Sequence, residues 1–162
     1  MPQGTFERVA AGDIHACALR SDMTVACWGE NTDRIEAPTG AFSEVAAGSS
    51  QICAIAQDGG VSCWGRNTQA PSGGFRAIST VMEHACGVRT DGNLVCWGLN
   101  DWGQASPPTG RFKDVAAGWR HTCAIRDDDT VACWGSPYGG ATTSRYVKET
   151  ILPIPTCIGP AC

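Results

Sequence analysis

Short bursts of apolar and polar alternation, separated by turn residues, run through this chain. HACALR (15–20) and TVACW (24–28) flank a turn at Ser21–Asp22–Met23, and the equivalent turns further on are AQDGG, RTDGN and RDDDT. Asp58–Gly59 and Asp91–Gly92 are strong hairpin signals, because these residue types tolerate positive φ. Folding the first hairpin about Asp22 sets Arg20 opposite Thr24, Leu19 opposite Val25 and Cys17 opposite Cys27. Alternation then places Cys17, Leu19, Val25 and Cys27 on one face, with Ala18, Ala26 and Trp28 on the other. Both faces are apolar, so the sheet is expected to be packed on both sides.

The same pattern occurs four times without gaps, in segments of 24 residues beginning at Phe6, Phe42, Phe75 and Phe112. In each, the first cysteine follows the Phe by 11 residues, the second follows the first by 10, and Trp-Gly comes next. Length varies only between the units, in segments rich in Asn, Pro and Gly that read as loops or short edge pieces. F-x-x-V-A-A-G supplies a third short strand whose Phe and Val lie three apart, so its alternation must break once. Ala10–Ala11–Gly12 predicts close backbone approach near the centre of a crowded radial structure. Ser79–Thr80–Val81 replaces Ala-Ala-Gly in the third unit, which should differ locally.

Ten cysteines among 162 residues are unusual for a reducing cytosol and pose a choice between metal ligation and disulfides. Metal knuckles commonly use compact C-x2–4-C spacing. The tail pair, Cys157 and Cys162, comes nearest, and by itself it is weak evidence for a metal. The hairpin register instead brings Cys17/Cys27, Cys53/Cys63, Cys86/Cys96 and Cys123/Cys133 together, at the short end of disulfide geometry. One bridge within each repeat is the expected pattern; pairing between neighbouring repeats is its competitor.

Charge narrows the partners. Twelve Lys and Arg against 16 Asp and Glu give a net charge of −4, with no basic stretch suited to phosphates, so nucleic acid is not an expected partner. No apolar run is long enough for a transmembrane helix. MPQGTFERVAAG has neither a basic n-region nor an apolar h-region, so export would imply a signal already removed.

The units resemble the regulator of chromosome condensation (RCC1) repeat, V-A-A-G-x-x-H-x-C-A-L/I-x-x-D-x-x-V-x-C-W-G-x-N, best kept at Val115–Gly135. Trp97-Gly98-Leu99-Asn100-Asp101-Trp102-Gly103-Gln104 is similar to the family's W-G-x-N-x-x-G-Q. The resemblance covers about residues 4–140 and implies an all-β fold, a β-propeller or partial propeller of four short disulfide-containing blades. Blades fall at about 4–35, 40–70, 73–105 and 110–140, each with three main strands and a weak fourth. Family members usually have seven blades, so four leave several closures open: a small ring, two chains in an eight-bladed ring, an open arc, or a fragment. An open arc leaves its terminal faces apolar and in want of a cap or a partner. Residues 141–162 are expected to form a cap or clasp, with Val147, Ile151, Leu152, Ile154 and Ile158 on one face and Cys157–Cys162 as a fifth bridge. A loosely ordered tail is the alternative.

His15, His84 and His121 each stand two residues before a first cysteine, with Gln51 in the second unit. The resemblance places this position near the base of an inner strand, as a backbone-bonded structural residue, with ligand binding as the alternative ahead of a metal or catalytic role. The aspartates at 22, 58, 91 and 128 fit turn geometry, and Asp127–Asp128–Asp129 reads as a solvated acidic turn unlike a calcium loop. No G-x-S-x-G, H-E-x-x-H or phosphate loop occurs, and a pattern copied four times describes a scaffold better than a catalytic site. No enzyme activity, cofactor or metal is expected.

Positions that break the repeat are the binding candidates: Trp102, Trp119, Arg120 and Tyr138, residue types that commonly anchor protein or glycan. Their competing role is packing over short loops or against the tail. The sequence thus predicts a secreted or cell-surface module that binds protein or glycan through its loops. The alternative is a structural protein, a homo-oligomer that completes a ring or assembles through blade edges and tail. The family's exchange-factor and chromatin-binding roles fit worse, given the cysteines and the missing basic patch.

Overall fold

The computed structural model describes residues 2–30, 36–66 and 69–136. They form twelve strands in four three-stranded antiparallel sheets, each sheet ordered as its strands occur in the chain. The first sheet holds β1 (Phe6–Ala11), β2 (His15–Arg20) and β3 (Val25–Gly29). The second holds β4 (Phe42–Ala47), β5 (Gln51–Ala56) and β6 (Val61–Gly65). The third holds β7 (Phe75–Val81), β8 (His84–Arg89) and β9 (Leu94–Gly98), and the fourth β10 (Phe112–Ala117), β11 (His121–Arg126) and β12 (Val131–Gly135). No fourth strand joins any of these sheets among the described residues.

The hairpin register agrees with the sequence. Cys17 pairs with Cys27 and Leu19 with Val25, and the other three sheets repeat this. The four intra-repeat disulfides, Cys17–Cys27, Cys53–Cys63, Cys86–Cys96 and Cys123–Cys133, are all formed, with Cα atoms 4.0–4.1 Å apart. The break in alternation after each Phe is a register shift, found between Phe6 and Arg8 and at the three equivalent places. It lets Phe and the Val or Ile three residues on point to the same face.

At the hairpin tips the expected positive φ falls on the residue after the Asp: Met23 (70°), Gly59 (85°), Gly92 (86°) and Asp129 (67°). The Asp itself acts as a side-chain acceptor two residues on, from the N–H of Thr24, Gly60, Asn93 and Thr130. The hydroxyls of Thr24 and Thr130, and then these N–H groups, lower the carboxyls of Asp22 and Asp128 below the usual range, and the Asn93 N–H does so first for Asp91.

Three apolar layers hold successive sheets together. Cys17, Leu19 and Val25 of the first sheet meet Phe42, Val45, Ile52, Ala54 and Trp64 of the second. Cys53 and Ile55 meet Phe75, Ile78 and Ala85; Cys86 and Val88 meet Phe112, Val115 and Ala124. Every sheet thus has a forward face carrying its disulfide and a back face carrying its Phe. A backbone bond accompanies each layer, from the N–H of Phe42, Phe75 and Phe112 to the carbonyl of Met23, Gly59 and Gly92. On the inner side a Cβ on Gly12 would lie 2.2 Å from the Gly48 carbonyl oxygen, so the close approach expected there is real. The third sheet differs as anticipated: β-branched Thr80 and Val81 extend β7 by one residue, and Met82 turns at φ 46°.

No fourth layer joins the last sheet to the first, so no closed ring forms among the described residues. The expectation that every sheet is packed on both sides is therefore corrected at the two ends. Cys133 shows it most directly. Cys27, Cys63 and Cys96, at the equivalent place in the first three sheets, each pack into the layer beneath the following sheet. Cys133 makes its expected bridge to Cys123, yet it joins none of the layers, because no sheet follows the fourth to cover it. The clasp expected at 141–162, with Cys157 and Cys162, lies outside the described residues.

Candidate functional site

Strand directions put the β1–β2, β4–β5, β7–β8 and β10–β11 turns at one end of the array, together with the start of each inter-repeat loop. In the fourth sheet the turn tip is Trp119–Arg120, closed by the Gly118 N–H donating to the His121 carbonyl at 2.8 Å. The Arg120 carbonyl accepts from the Ser136 N–H at 2.7 Å, which fixes the tip against the end of β12.

The loop after β9 brings Trp102 to the same place. Gly103 adopts φ 75°, and the Asn100 side chain spans the loop, accepting from the Ala105 N–H at 2.8 Å and donating to Ser106 Oγ at 2.9 Å. Gln104 is fully buried and anchors the loop from below. Its Oε1 accepts from the Trp102 N–H at 2.8 Å, and its carbonyl accepts from Thr122 Oγ1 and Trp134 Nε1, both at 2.9 Å.

On this base the Arg120 guanidinium carbon lies 5.0 Å from the Trp102 ring centroid and 4.8 Å from that of Trp119. Trp102 is 41% exposed and Trp119 62%. Three of the four residues singled out from sequence as binding candidates therefore form one cluster, and the fourth, Tyr138, lies outside the described residues. Each cation–π contact at such an exposed site contributes about 0.5–1 kcal/mol. They hold the arginine while leaving much indole surface in water.

The buried polar residues behind the turns serve the frame. His84 Nε2 lies 3.0 Å from Thr122 Oγ1, whose proton is directed to the Gln104 carbonyl, so the imidazole donates. Burial, and to a lesser degree His121 nearby, lowers the His84 pKa to about 4. Gln51, at the same place in the second sheet, donates its amide to Thr80 Oγ1. These side chains reach the hydroxyl of a threonine in the next sheet and not their own backbone, which corrects the expected backbone partner. Gln104 and Thr122 escaped sequence reasoning as site supports, although Gln104 closes the W-G-x-N-x-x-G-Q run that could have marked it.

Among the described residues, no group of three or more His, Cys, Asp or Glu could hold a metal ion. A hollow of about 730 Å³ lies elsewhere, at the outer edge of the second sheet beside Ser62, Trp64 and Gln69. Among its lining residues Glu36 alone is charged.

The regulator of chromosome condensation (RCC1) repeat model matches residues 6–34, 42–69, 75–104 and 112–140. The chain belongs to this repeat family. No curated protein sequence matches the chain. Among solved structures it is similar to the CRINKLY WD40 ectodomain of the Arabidopsis thaliana receptor kinase ACR4, with TM-score 0.74 and 30% identity over 90% of this chain and 54% of that one. It is also similar to the ectodomain of the Physcomitrella patens receptor kinase CR4, with TM-score 0.74 and 27% identity over 83% of this chain and 42% of that one. Prp20p from Saccharomyces cerevisiae shares the fold, with TM-score 0.71 and 17% identity over 83% of this chain and 46% of that one. The RCC1-repeat chain spans about half the length of these structures. Among its described residues, no helix is long and apolar enough to cross a membrane.

Proposed function

We propose that this RCC1-repeat chain is an extracellular binding module, a partial propeller that recognises protein or glycan through the turns at one end. The observation that carries this reading is Arg120 set against the rings of Trp102 and Trp119 on a buried Gln104–Thr122 base. Exposed indole faces offer stacking area for a sugar ring or an apolar side chain. The guanidinium edge supplies donors for a carboxylate, a sugar hydroxyl or a carbonyl. Four formed disulfides support an oxidising location, as does similarity to two plant receptor ectodomains. Residues 4–140 form the binding unit in this reading, and 141–162 a separate tail.

A printed glycan array and a set of immobilised extracellular-matrix proteins, screened with the intact chain and with Trp102→Ala and Arg120→Gln, test the proposal. Binding that falls by roughly ten-fold or more in both variants, with circular dichroism unchanged, is the expected result. Binding that both variants retain in full would overturn it.

A further inference from the structure

The two ends of the array are the unmatched halves of an interface that the chain builds three times internally. On the back faces, Phe42, Phe75 and Phe112 are 3%, 2% and 0% exposed, while Phe6 is 36% exposed. Val45, Ile78 and Val115 are buried in the same way, and Val9 is 71% exposed. On the forward faces Leu19, Ile55 and Val88 are at most 3% exposed, whereas Ile125 is 38% exposed. Cys123, Ile125 and Val131 also line a hollow of about 100 Å³ on the fourth sheet, where the preceding sheets each receive a neighbour's Phe and Val or Ile.

Charge follows the same order. The residue two after each Phe is Arg8, Glu44, Ala77 and Asp114 in turn. Burial raises the Glu44 carboxyl above its ordinary range; the Ile78 N–H and then the Arg8 guanidinium draw it down, while Asp114 pushes it up. Arg8 therefore lies near enough to Glu44 for its charge to favour that carboxylate. Joining the fourth sheet to a first sheet would set Asp114 against another Arg8 and repeat that opposite-charge pairing at the junction.

We infer that a second copy of this chain docks head to tail, the partner's Phe6 and Val9 packing on Cys123, Ile125 and Val131, and that two copies close on each other. Each chain offers one donor half and one acceptor half, so a pair with both contacts made leaves neither apolar face in water. A cap from the chain's own tail would cover one face and leave the other bare. The contact is heterologous: Val9 meets Ile125, never another Val9.

The test uses the intact 162-residue chain in multi-angle light scattering from low to high micromolar concentration. A dimer is expected. Val9→Asp and Ile125→Asp, both at exposed positions, should each weaken it by roughly thirty-fold or more, the range of a hot-spot loss. Mixing the two variants should recover a heterodimer, because the forward face of one and the back face of the other remain intact. A monomer at every concentration, a dimer indifferent to both substitutions, or no recovery on mixing would each overturn the proposal. A ladder of larger species would overturn closure by two copies. Circular dichroism, with intact-mass counting of the bridges, shows that each variant is folded.

Discussion

Replacing Phe112 with alanine should cost far more than the same change at Phe6, although both begin the same repeat motif. Phe112 is fully buried, with Cys86, Val88 and Val115 in its layer, and Arg126 lies 5.0 Å from its ring centroid. Truncation there loses the transfer term and opens a cavity that rigid strands cannot refill, a loss of about 3–5 kcal/mol. Phe6 keeps 36% of its surface in water and faces no preceding sheet. Scaling a full burial value of roughly 1.5–3 kcal/mol by the covered share gives about 1–2 kcal/mol, with little cavity term. The comparison is best made in the Ile125→Asp background, so that loss of a partner chain does not enter. Urea titration followed by far-ultraviolet circular dichroism reads the difference. With a slope of about 2 kcal/mol per molar, Phe112→Ala should lower the midpoint by roughly 2 M and Phe6→Ala by less than about 1 M. Equal midpoints for the two variants would refute the stacking order, since the first sheet would then have a covered back face.

The remaining predictions concern protonation, the turns and the disulfides. His84 is neutral in the fold with a pKa of about 4, while the unfolded chain takes up the proton near pH 6.5. Stability is therefore full above about pH 6.5 and falls as the pH drops toward 4, by at most about 3 kcal/mol. His84→Gln should flatten that part of a stability profile measured by thermal melts, and an unchanged slope would remove His84 as its source. Met23 holds φ 70° where the second and third repeats have glycine, so Met23→Gly should raise stability by about 0.5–1 kcal/mol; a lower melting temperature would contradict this. Replacing Cys86 and Cys96 together by serine reopens a loop of sequence separation 10, which should cost about 2–3 kcal/mol. A double variant as stable in urea as the parent would show that the bridge adds nothing to the packed layer.

The strands, their register and the four bridges were legible because a period of two fixes every residue once one turn is placed. Asp22 placed it, and Cys17 opposite Cys27 followed. The break after Phe6 was legible for the same reason, since Phe and Val cannot share a face at a spacing of three without a shift. Trp102, Trp119 and Arg120 stood out because they interrupt the repeat. Their meeting could not be read from sequence, because it depends on how the loop after β9 folds over the neighbouring turn. That path is set by Gln104, whose buried carbonyl gathers donors from two different strands. The partner of His84 was hidden in the same way: Thr122 lies 38 residues on and comes near only when one sheet stacks on the next. The missing fourth layer was equally silent. Nothing around Cys133 in the sequence distinguishes it from Cys27, Cys63 or Cys96, because all four motifs look equally well made.

The forward position of the disulfides gives the array a chemical direction as well as a structural one. Cys17, Cys53 and Cys86 are fully buried under the following sheet and their partners Cys27, Cys63 and Cys96 are half-buried, whereas in the last bridge Cys123 and Cys133 are both half-buried, with no described sheet above them. A thiolate from solvent can therefore approach either cysteine of the last bridge in a single chain, but only the second cysteine of each earlier one. The first cysteine of each earlier bridge stays out of reach until its lid lifts. Four bonds of the same kind, in hairpins of the same size, thus differ in exposure by their place in line, and each repeat shields one sulfur of the repeat before it.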